Sequence, residues 1–436
     1  MYCMRQSYKA ILFVAAFFCR FYFVYGNEKP NLIIDSGNKV KLHQYPTELY
    51  INLSYTLDSR GITTKSIYDY FMGKHFTTDD INLLNRNLKN TSVLGQDFIV
   101  DIVYKRKNHF LNNIHYGFRS HFDGSIGKDL AGLASRGNAP YAGRNLDNMN
   151  LLFRSASWHK VGVSFGYYNN KQSEPTLALS LNYVSGNKYT YIHLSNTQIY
   201  TQQNGDYIDA RWNVDYRSSV INKLFGFVGN GASIDFAYQK YFNKKNKIYP
   251  IYIQAQITDL GFITWNKNNK NLSWDSAIRF SGLDVGNIAQ VTSKNYTDNL
   301  SDSLKNLLNS HYNYLKNSSV LPAIFLVKIS KKYEMGSNLK GISSAYYNIY
   351  TQIDYMIYAS YKPQLAMGVE VHKSRYALIP QIRFGGYGDY NIDLSYQYKS
   401  RKNKFQMGIK LNSLEALVAP KYQSGLGLMI QSKYTL

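Results

Sequence analysis

The feature that most constrains this chain is an alternation of apolar and polar residues with a period of two, repeated in segments of roughly ten residues. Similar segments occupy residues 207–217, 347–361 and 390–399, and turn-like clusters rich in Asn, Gly and Lys separate them. Each segment is predicted to be a strand with one apolar side and one polar side. In residues 390–399 the apolar side carries Tyr390, Ile392, Leu394, Tyr396 and Tyr398.

Strands of this kind belong either to a soluble all-β protein or to a barrel that crosses a membrane. After residue 26 the sequence contains no run of 18 apolar residues, so a bundle of membrane-spanning helices is excluded. In lipid, a closed barrel is the other structure that satisfies every backbone hydrogen bond.

Tyrosine favours the barrel. The chain has 41 tyrosines, and many lie near predicted strand ends on the apolar side, as the aromatic girdle of a membrane barrel requires. The opposite side mixes Asp, Arg, Asn, Gln and Lys, which suits a wet lumen. The alternative is a secreted soluble propeller or solenoid, but no repeat of about 40 residues supports it. From Tyr45 onwards we count roughly 14 to 17 candidate strands, and we predict about 14, with about 16 as the even alternative.

The first 26 residues resemble a cleaved secretory signal. Arg5 and Lys9 precede an apolar stretch, and Gly26 supplies the small residue before a cleavage site. We therefore predict cleavage after Gly26 and a mature protein in the cell outer membrane. The alternative, an uncleaved membrane anchor, is disfavoured because the apolar stretch is short and Arg20 interrupts it.

The charge of the chain narrows the classes of molecule that it can bind. The chain has 50 Lys+Arg against 28 Asp+Glu, a formal net charge of +22. Basic runs such as Lys105-Arg106-Lys107 fall at predicted strand ends or turns. There they favour binding to outer-membrane lipid and lipopolysaccharide phosphates over binding to nucleic acid, which an exported protein rarely meets. Both cysteines, Cys3 and Cys19, lie in the signal, so the mature chain has no disulfide.

Two segments do not read as strands. Residues 64–90 and 297–317 carry apolar residues at helical spacing after capping residues such as Thr77, so both are predicted to be helical insertions at a barrel mouth. Residues 27–44 form an N-terminal segment. The predicted organisation is therefore a signal, 1–26, followed by a single barrel domain, 27–436.

Five short strings resemble one family. The most specific is Asp259-Leu260-Gly261-Phe262-Ile263-Thr264-Trp265. The others are Phe118-Arg119-Ser120, Gly137-Asn138 with Tyr141-Ala142-Gly143, Asn230 to Asp235, and Leu321-Pro322-Ala323. Together they resemble a Bacteroidota outer-membrane β-barrel family of unknown function (domain of unknown function 5723), which is similar to FadL-like and PorP/SprF-like barrels. The resemblance covers about residues 45–436 and implies fold and location, but no catalytic residue and no cofactor.

The residues of the most specific string suit the end of a strand. Asp259 can accept backbone hydrogen bonds in a turn and Gly261 permits a positive φ, while Phe262 and Trp265 would anchor at the membrane interface. Leu260 completes the string. A structural turn is favoured over a role in ligand binding.

One pair of histidines is the candidate for catalytic chemistry. Of nine histidines, His115 and His121 lie six residues apart and would share a strand face, with Arg119 between them. Such a pair could bind a metal or act in acid/base catalysis, but a third ligand at suitable spacing is missing, so ordinary lumen histidines are favoured. Phosphate-binding loops, nucleophile elbows and zinc-protease motifs do not occur. We therefore predict no enzyme activity, no catalytic residue, no metal and no cofactor.

Alternating charges on one predicted strand are candidates for lining the lumen. They are Asp209, Arg211, Asp215 and Arg217. They could set the ion preference of a pore, or they could form cross-strand ion pairs. We favour the structural role, because mixed signs cancel in the field that a permeant ion would feel.

The sequence thus predicts an all-β, antiparallel outer-membrane β-barrel that crosses the membrane many times. Residues 425–436 resemble the strand that the barrel assembly machinery recognises, although Leu436 replaces the usual terminal aromatic residue. By analogy of fold, the predicted function is passage or uptake of a small solute, hydrophobic solutes included, as in FadL-like and porin-like proteins. The alternative is a non-conducting scaffold that binds secretion-system or surface proteins.

Overall fold

The structure is a computed structural model that describes residues 47–73, 76–106, 111–167, 176–220, 227–242, 251–281, 312–334, 345–357, 360–401 and 404–435. The predicted signal and the segment 27–44 lie outside the described residues. Two units divide the chain. One comprises Met1–Gln44 and Tyr68–His75, and the structure describes it only at residues 68–73. The other, Tyr45–Ile67 with Phe76–Leu436, contains the strands and the site described below.

Within the described part of the chain, seventeen strands form one sheet. The strands are β1 Thr47–Arg60, β2 Thr91–Arg106, β3 Leu111–Gly127, β4 Asn145–Leu146, β5 Leu151–Tyr167, β6 Leu177–Thr201, β7 Ile208–Val220, β8 Gly229–Phe242, β9 Ile251–Phe280, β10 Asn313–Val320, β11 Ile324–Glu334, β12 Ala345–Met356, β13 Lys362–Lys373, β14 Tyr376–Gly386, β15 Tyr390–Lys399, β16 Phe405–Asn412 and β17 Leu426–Thr435. The helices are α1 Thr64–Phe71, α2 Thr78–Asn87, α3 Lys128–Arg136 and α4 Leu414–Val418, with a 3₁₀ turn at Ala139–Tyr141.

The sheet closes on itself. Successive antiparallel pairings run β1-β2-β3-β5-β6-β8-β9-β11-β12-β13-β14-β15-β16-β17, and β17 pairs with β1. In the described residues this ring therefore passes through fourteen strands, and the prediction of an antiparallel barrel is confirmed. Strands β7 and β10 lie outside the ring but in the same sheet, so the sheet has sixteen strands longer than the two-residue β4.

Two long strands carry the sheet beyond the ring. The first parts of β6 and β9 pair with β8 inside the ring, whereas their later parts pair with β7. β10 pairs with the middle of β9, at residues 262–271. β9 has 30 residues, roughly three times what one membrane crossing needs. The four strands β6, β7, β9 and β10 thus build an extension of the wall at one end of the ring.

The two ends of the ring differ. At one end, here called the hairpin end, β1 begins, β17 ends, and short connections join β13 to β14 and β15 to β16. At the other end, the helix end, α1 and α2 connect β1 to β2, α3 connects β3 to β5, and α4 connects β16 to β17. Two helices, α1 and α2, thus lie in the predicted insertion 64–90.

The second predicted helical insertion is different. Residues 297–311 lie outside the described residues, but residues 313–317 belong to β10 rather than to a helix. That part of the prediction was wrong. Tyr314 and Leu315 pair with Lys270 and Asn269 of β9, and this ladder outweighs the helical spacing of the leucines.

The placement of polar and apolar side chains is the reverse of that in a soluble protein. On β15, Ile392 is 40% exposed on the outer side, whereas its inward neighbours Asn391 and Asp393 are 0% and 1% exposed. On β12, Ile349 and Ile353 are about half exposed, also on the outer side. The same alternation runs along most strands of the ring, so the apolar side chains face outward and the polar side chains fill the lumen.

Among the helices that the structure describes, none is long and apolar enough to cross a membrane.

Candidate functional site in the lumen

Five charged side chains meet inside the ring, and we call them the Lys160 cluster: Asp101, Arg119, Lys160, Asp235 and Asp259. Lys160 Nζ lies 2.7 Å from Asp259 Oδ1 and 3.2 Å from Asp235 Oδ2. Arg119 Nη1 lies 2.6 Å from Asp101 Oδ1, and its Nε lies 3.3 Å from Asp259 Oδ2. Lys160 is only 3% exposed. Since a buried charge is costly unless it is paired, this mutual pairing is what allows the cluster to exist.

The cluster crosses the lumen. Arg119 lies on β3 and Asp259 on β9, and β5, β6 and β8 stand between these strands in the ring. Their ion pair therefore runs as a chord inside the barrel rather than along the wall. Lys160, on β5, makes a second link to the same carboxylate of β9. The wall from β3 to β9 is held together by charge at this level.

Asp259 reaches the cluster because β9 bulges. The register between β8 and β9 shifts between Ile234 and Phe236, and Asp259 adopts φ 58°. The amide N–H of Asp259 donates to Asp235 Oδ1 at 2.7 Å. Asp tolerates the left-handed region better than most residues, so the bulge turns this carboxylate inward and Asp235 fixes the backbone.

The strand-end interpretation of the family string was wrong. The string lies in the middle of β9, and Asp259 rather than Gly261 has the positive φ. Gly261 is needed for a different reason, since a Cβ at this position would lie 2.1 Å from the carbonyl oxygen of Ala232. Leu260 and Phe262 face outward and are about half exposed.

Trp265 belongs to an apolar layer next to the Lys160 cluster. It is fully buried, stacks on Tyr189 with ring centroids 5.1 Å apart, and donates from Nε1 to Ser319 Oγ at 2.8 Å. Trp158 is also buried, within the same layer. The predicted interfacial role of Trp265 was therefore wrong, because the alternation along β9 turns residue 265 inward. The layer comprises Ala156, Trp158, Val184, Tyr189, Ile263, Trp265 and Leu321.

The two histidines singled out in the sequence both face inward but have separate partners. His115 Nε2 lies 2.6 Å from Asn182 Oδ1, and Asn182 in turn donates to Asp235 Oδ2 at 3.0 Å. His121 Nδ1 lies 2.6 Å from Asp97 Oδ1. They do not form one site. In the described part of the chain, no group of three or more His, Cys, Asp or Glu side chains is arranged to hold a metal.

The four charged residues predicted to line the lumen lie on β7, outside the closed ring. Asp209 pairs across strands with Arg279 of β9 at 2.7 Å, and Asp215 pairs with Arg217 of its own strand at 2.6 Å. Arg211 is exposed. The structure does not bring them to the Lys160 cluster, and a lumen-lining role for them stays a prediction.

Comparison with protein families gives one match, which extends over residues 43–414 and is described as a family of unknown function, DUF5723. The chain belongs to the DUF5723 family. This confirms the resemblance seen in the sequence, while an origin in Bacteroidota stays a prediction. No curated protein matches the sequence significantly.

Several solved structures resemble this DUF5723 protein at low similarity. The toluene transporter TodX of P. putida has a TM-score of 0.37 and 8% identity, covering 90% of both chains. The toluene transporter TbuX of Ralstonia pickettii has a TM-score of 0.34 and 9% identity, also covering 90% of both. The translocator domain of autotransporter NalP from Neisseria meningitidis has a TM-score of 0.28 and 7% identity, covering 90% of this chain and 89% of that one.

The family strings of this DUF5723 chain converge on the lumen. Arg119, Asp235 and Asp259 come from three different strings and meet in the Lys160 cluster. Leu321, from a fourth string, donates its backbone N–H to the carbonyl oxygen of Gly261 at 3.0 Å. Sequence reasoning missed Lys160 and Asp101, whose strands carry no recognised string. The prediction of no enzyme activity stays a prediction.

Proposed function

We propose that this protein is an integral outer-membrane β-barrel that lets a small solute pass, or takes it up, through its lumen. The observation that carries the proposal is the inverted polarity of a closed ring: exposed isoleucine, leucine and tyrosine outside, buried ion pairs inside. An outward apolar surface of this extent is stable when lipid covers it. A closed ring leaves no unpaired strand edge in the bilayer.

Two groups of buried side chains fill the lumen that a solute would enter. The Lys160 cluster presents charges that are already paired, and the layer with Trp158 and Trp265 is apolar. A solute that needs no counter-charge need not break an existing ion pair when it passes these side chains. These observations support a small solute that is neutral or hydrophobic.

Lysines beside aromatic rings on the outer wall support the same placement. Single-chain barrels usually have short turns on the periplasmic side and long loops outside, so the hairpin end would face the periplasm. Near this end Lys240 lies 5.0 Å from the Phe242 ring and Lys331 lies 5.0 Å from the Tyr333 ring, on the outer side of the wall. Lysine beside an aromatic ring suits the head-group level, where phosphates attract the ammonium.

The wall extension supports a second function. β7 and β10 lie beyond the ring, and Tyr314, Leu315 and Val320 of β10 are more than half exposed. A sheet that projects past the membrane can bind another protein. A non-conducting scaffold for secretion-system or surface proteins is therefore the alternative, with the barrel assembly machinery as the partner needed for insertion.

Planar bilayer recording separates the two functions. The protein is purified from the membrane fraction in detergent, and its folded state is checked by heat-modifiable migration on gels. We expect discrete single-channel steps, together with swelling of vesicles in a small neutral solute. Folded protein that gives neither steps nor swelling contradicts passage and leaves the scaffold. A protein that stays in the supernatant without detergent contradicts both.

A further inference from the structure

The connection between β14 and β15 folds into the lumen. Gly385 and Gly386 adopt φ of 94° and 76°, a conformation that glycine takes at no steric cost. The next residue, Tyr387, is only 4% exposed although it lies in a connection of three residues at the helix end. Two consecutive left-handed glycines thus turn a short loop inward and bury its aromatic side chain.

Tyr387 contacts opposite walls of the ring. Its hydroxyl lies 3.3 Å from His121 Nε2 of β3 and 3.9 Å from Met356 Sδ of β12. Between β3 and β12 the ring has five strands on one side, β5, β6, β8, β9 and β11, and seven on the other. A side chain that touches both must stand across the lumen. The aromatic ring of Tyr361, the residue before β13, packs edge-on against that of Tyr387, with ring centroids 5.0 Å apart.

The barrel wall leaves space for the aromatic ring of Tyr387. Gly95 of β2 faces this side chain so closely that a Cβ at position 95 would lie 2.0 Å from two carbons of Tyr387. The loop is also held in place, because Asp58 Oδ2 accepts hydrogen bonds from the Gly388 amide at 3.1 Å and from Asn391 Nδ2 at 2.9 Å. The absence of a side chain at Gly95 and the hydrogen bonds to Asp58 hold Tyr387 in this position.

We infer that Tyr387 constricts the lumen at the helix end and sets the size of the solute that passes this level. The inference rests on the proposed passage and deepens it by naming the residue that limits it. The Tyr387 side chain is neutral and stands between His121 and Met356, so it selects solutes by their size rather than by their charge. A solute wider than the gap left beside the ring passes only when the ring is removed.

Conductance tests the constriction directly. Tyr387→Ala should raise single-channel conductance several-fold and admit larger neutral solutes in vesicle swelling. Tyr387→Phe, which keeps the ring and loses the hydroxyl, should resemble the native protein. Tyr390→Ala is the matched control, because Tyr390 lies three residues later and is 41% exposed on the outer side. If Tyr387→Ala conducts like the native protein, the constriction lies elsewhere while the proposed passage stands.

Cysteine labelling gives a readout that does not depend on conductance. With Cys3→Ser and Cys19→Ser, the Met356→Cys substitution leaves one thiol, placed behind Tyr387. We expect a membrane-impermeant maleimide to label it at least ten-fold faster when Tyr387→Ala is added, and at an unchanged rate with Tyr390→Ala. Equal labelling in both contradicts a blocking role. Faster labelling without any conductance contradicts the proposed passage, and the size limit falls with it.

Discussion

Asp259 combines two demands at one position. Its backbone must adopt a left-handed conformation to form the bulge in β9, and its carboxylate must meet Lys160 and Arg119 inside the lumen. Asn meets the first demand and not the second, since it tolerates the same φ but carries no charge. The two demands can therefore be separated by one substitution.

Asp259→Asn should lower the free energy of unfolding by about 3 kcal/mol, because it leaves Lys160 and Arg119 buried with fewer counter-charges. Asp209→Asn is the control, since its ion pair with Arg279 is largely exposed and its loss should leave the unfolding temperature unchanged. The measurement is the midpoint of heat-modifiable gel migration. Equal midpoints for the two variants contradict a structural role for the Lys160 cluster.

Gly186 lies where the apolar layer leaves no room for a side chain. A Cβ there would lie 2.5 Å from Trp265 Cζ3, so Gly186→Ala should destabilise the barrel by about 1–3 kcal/mol through overpacking. Gly408→Ala is the matched inward-facing control, because its nearest neighbour is 3.6 Å away. Unfolding in denaturant compares them. If the Gly186→Ala protein is as stable as the Gly408→Ala protein, the apolar layer around Trp265 rearranges to accept the extra methyl group at little cost.

At the scale of elements, helix α2 begins with a reciprocal cap. Asp80 N–H donates to Thr77 Oγ1, and Thr77 N–H donates to Asp80 Oδ2. Asp80 also pairs with Lys65 at 2.6 Å. Hydrogen bonds from Lys65 and Thr77 hold the pKa of Asp80 at about 2, so this carboxylate stays charged at neutral pH. The cap satisfies amides that the first turn leaves without helical partners.

Thr77→Ala should loosen α2 and leave the barrel intact. Loss of the cap removes an acceptor from the first turn, so limited proteolysis within residues 78–87 should become several-fold faster. Heat-modifiable migration should not change. Thr78→Ala is the control, because Thr78 lies inside the helix and supplies no cap. Cleavage at the same rate in both variants contradicts the cap's role.

The elements show what the sequence could and could not predict. Period-two alternation predicted the strands, because in a closed barrel the side chains of each strand alternate between lipid and lumen. The order Thr77-Thr78-Asp79-Asp80 indicated the start of a helix for a similarly local reason. The lumen cluster was not predictable in the same way, since Lys160 and Asp259 are far apart in sequence and meet only through the ring order and a bulge. The strand at 313–317 depends on pairing with β9, which no local pattern reveals.

At the scale of the whole molecule, the outer surface is what decides where the protein can reside. Ile353→Arg places a charge on the outer side of β12, where Ile353 is 52% exposed. In lipid this costs about 2–4 kcal/mol near the midplane, so the folded fraction after refolding into vesicles should drop. Gln352→Arg, one residue earlier, faces the lumen beside Asp354 and should be tolerated. If both variants refold equally well, lipid does not cover the outer side of β12.

The joint between β1 and β17 has a kinetic consequence. Glu48 pairs with Thr435 and Leu57 with Leu426, so the ring is completed by residues that begin far apart along the polypeptide. Bringing such distant segments together is entropically slow. Until they meet, each presents a bare row of amides and carbonyls to whatever is near. The seam therefore sets the period during folding when the unfinished barrel is most prone to associate with its neighbours.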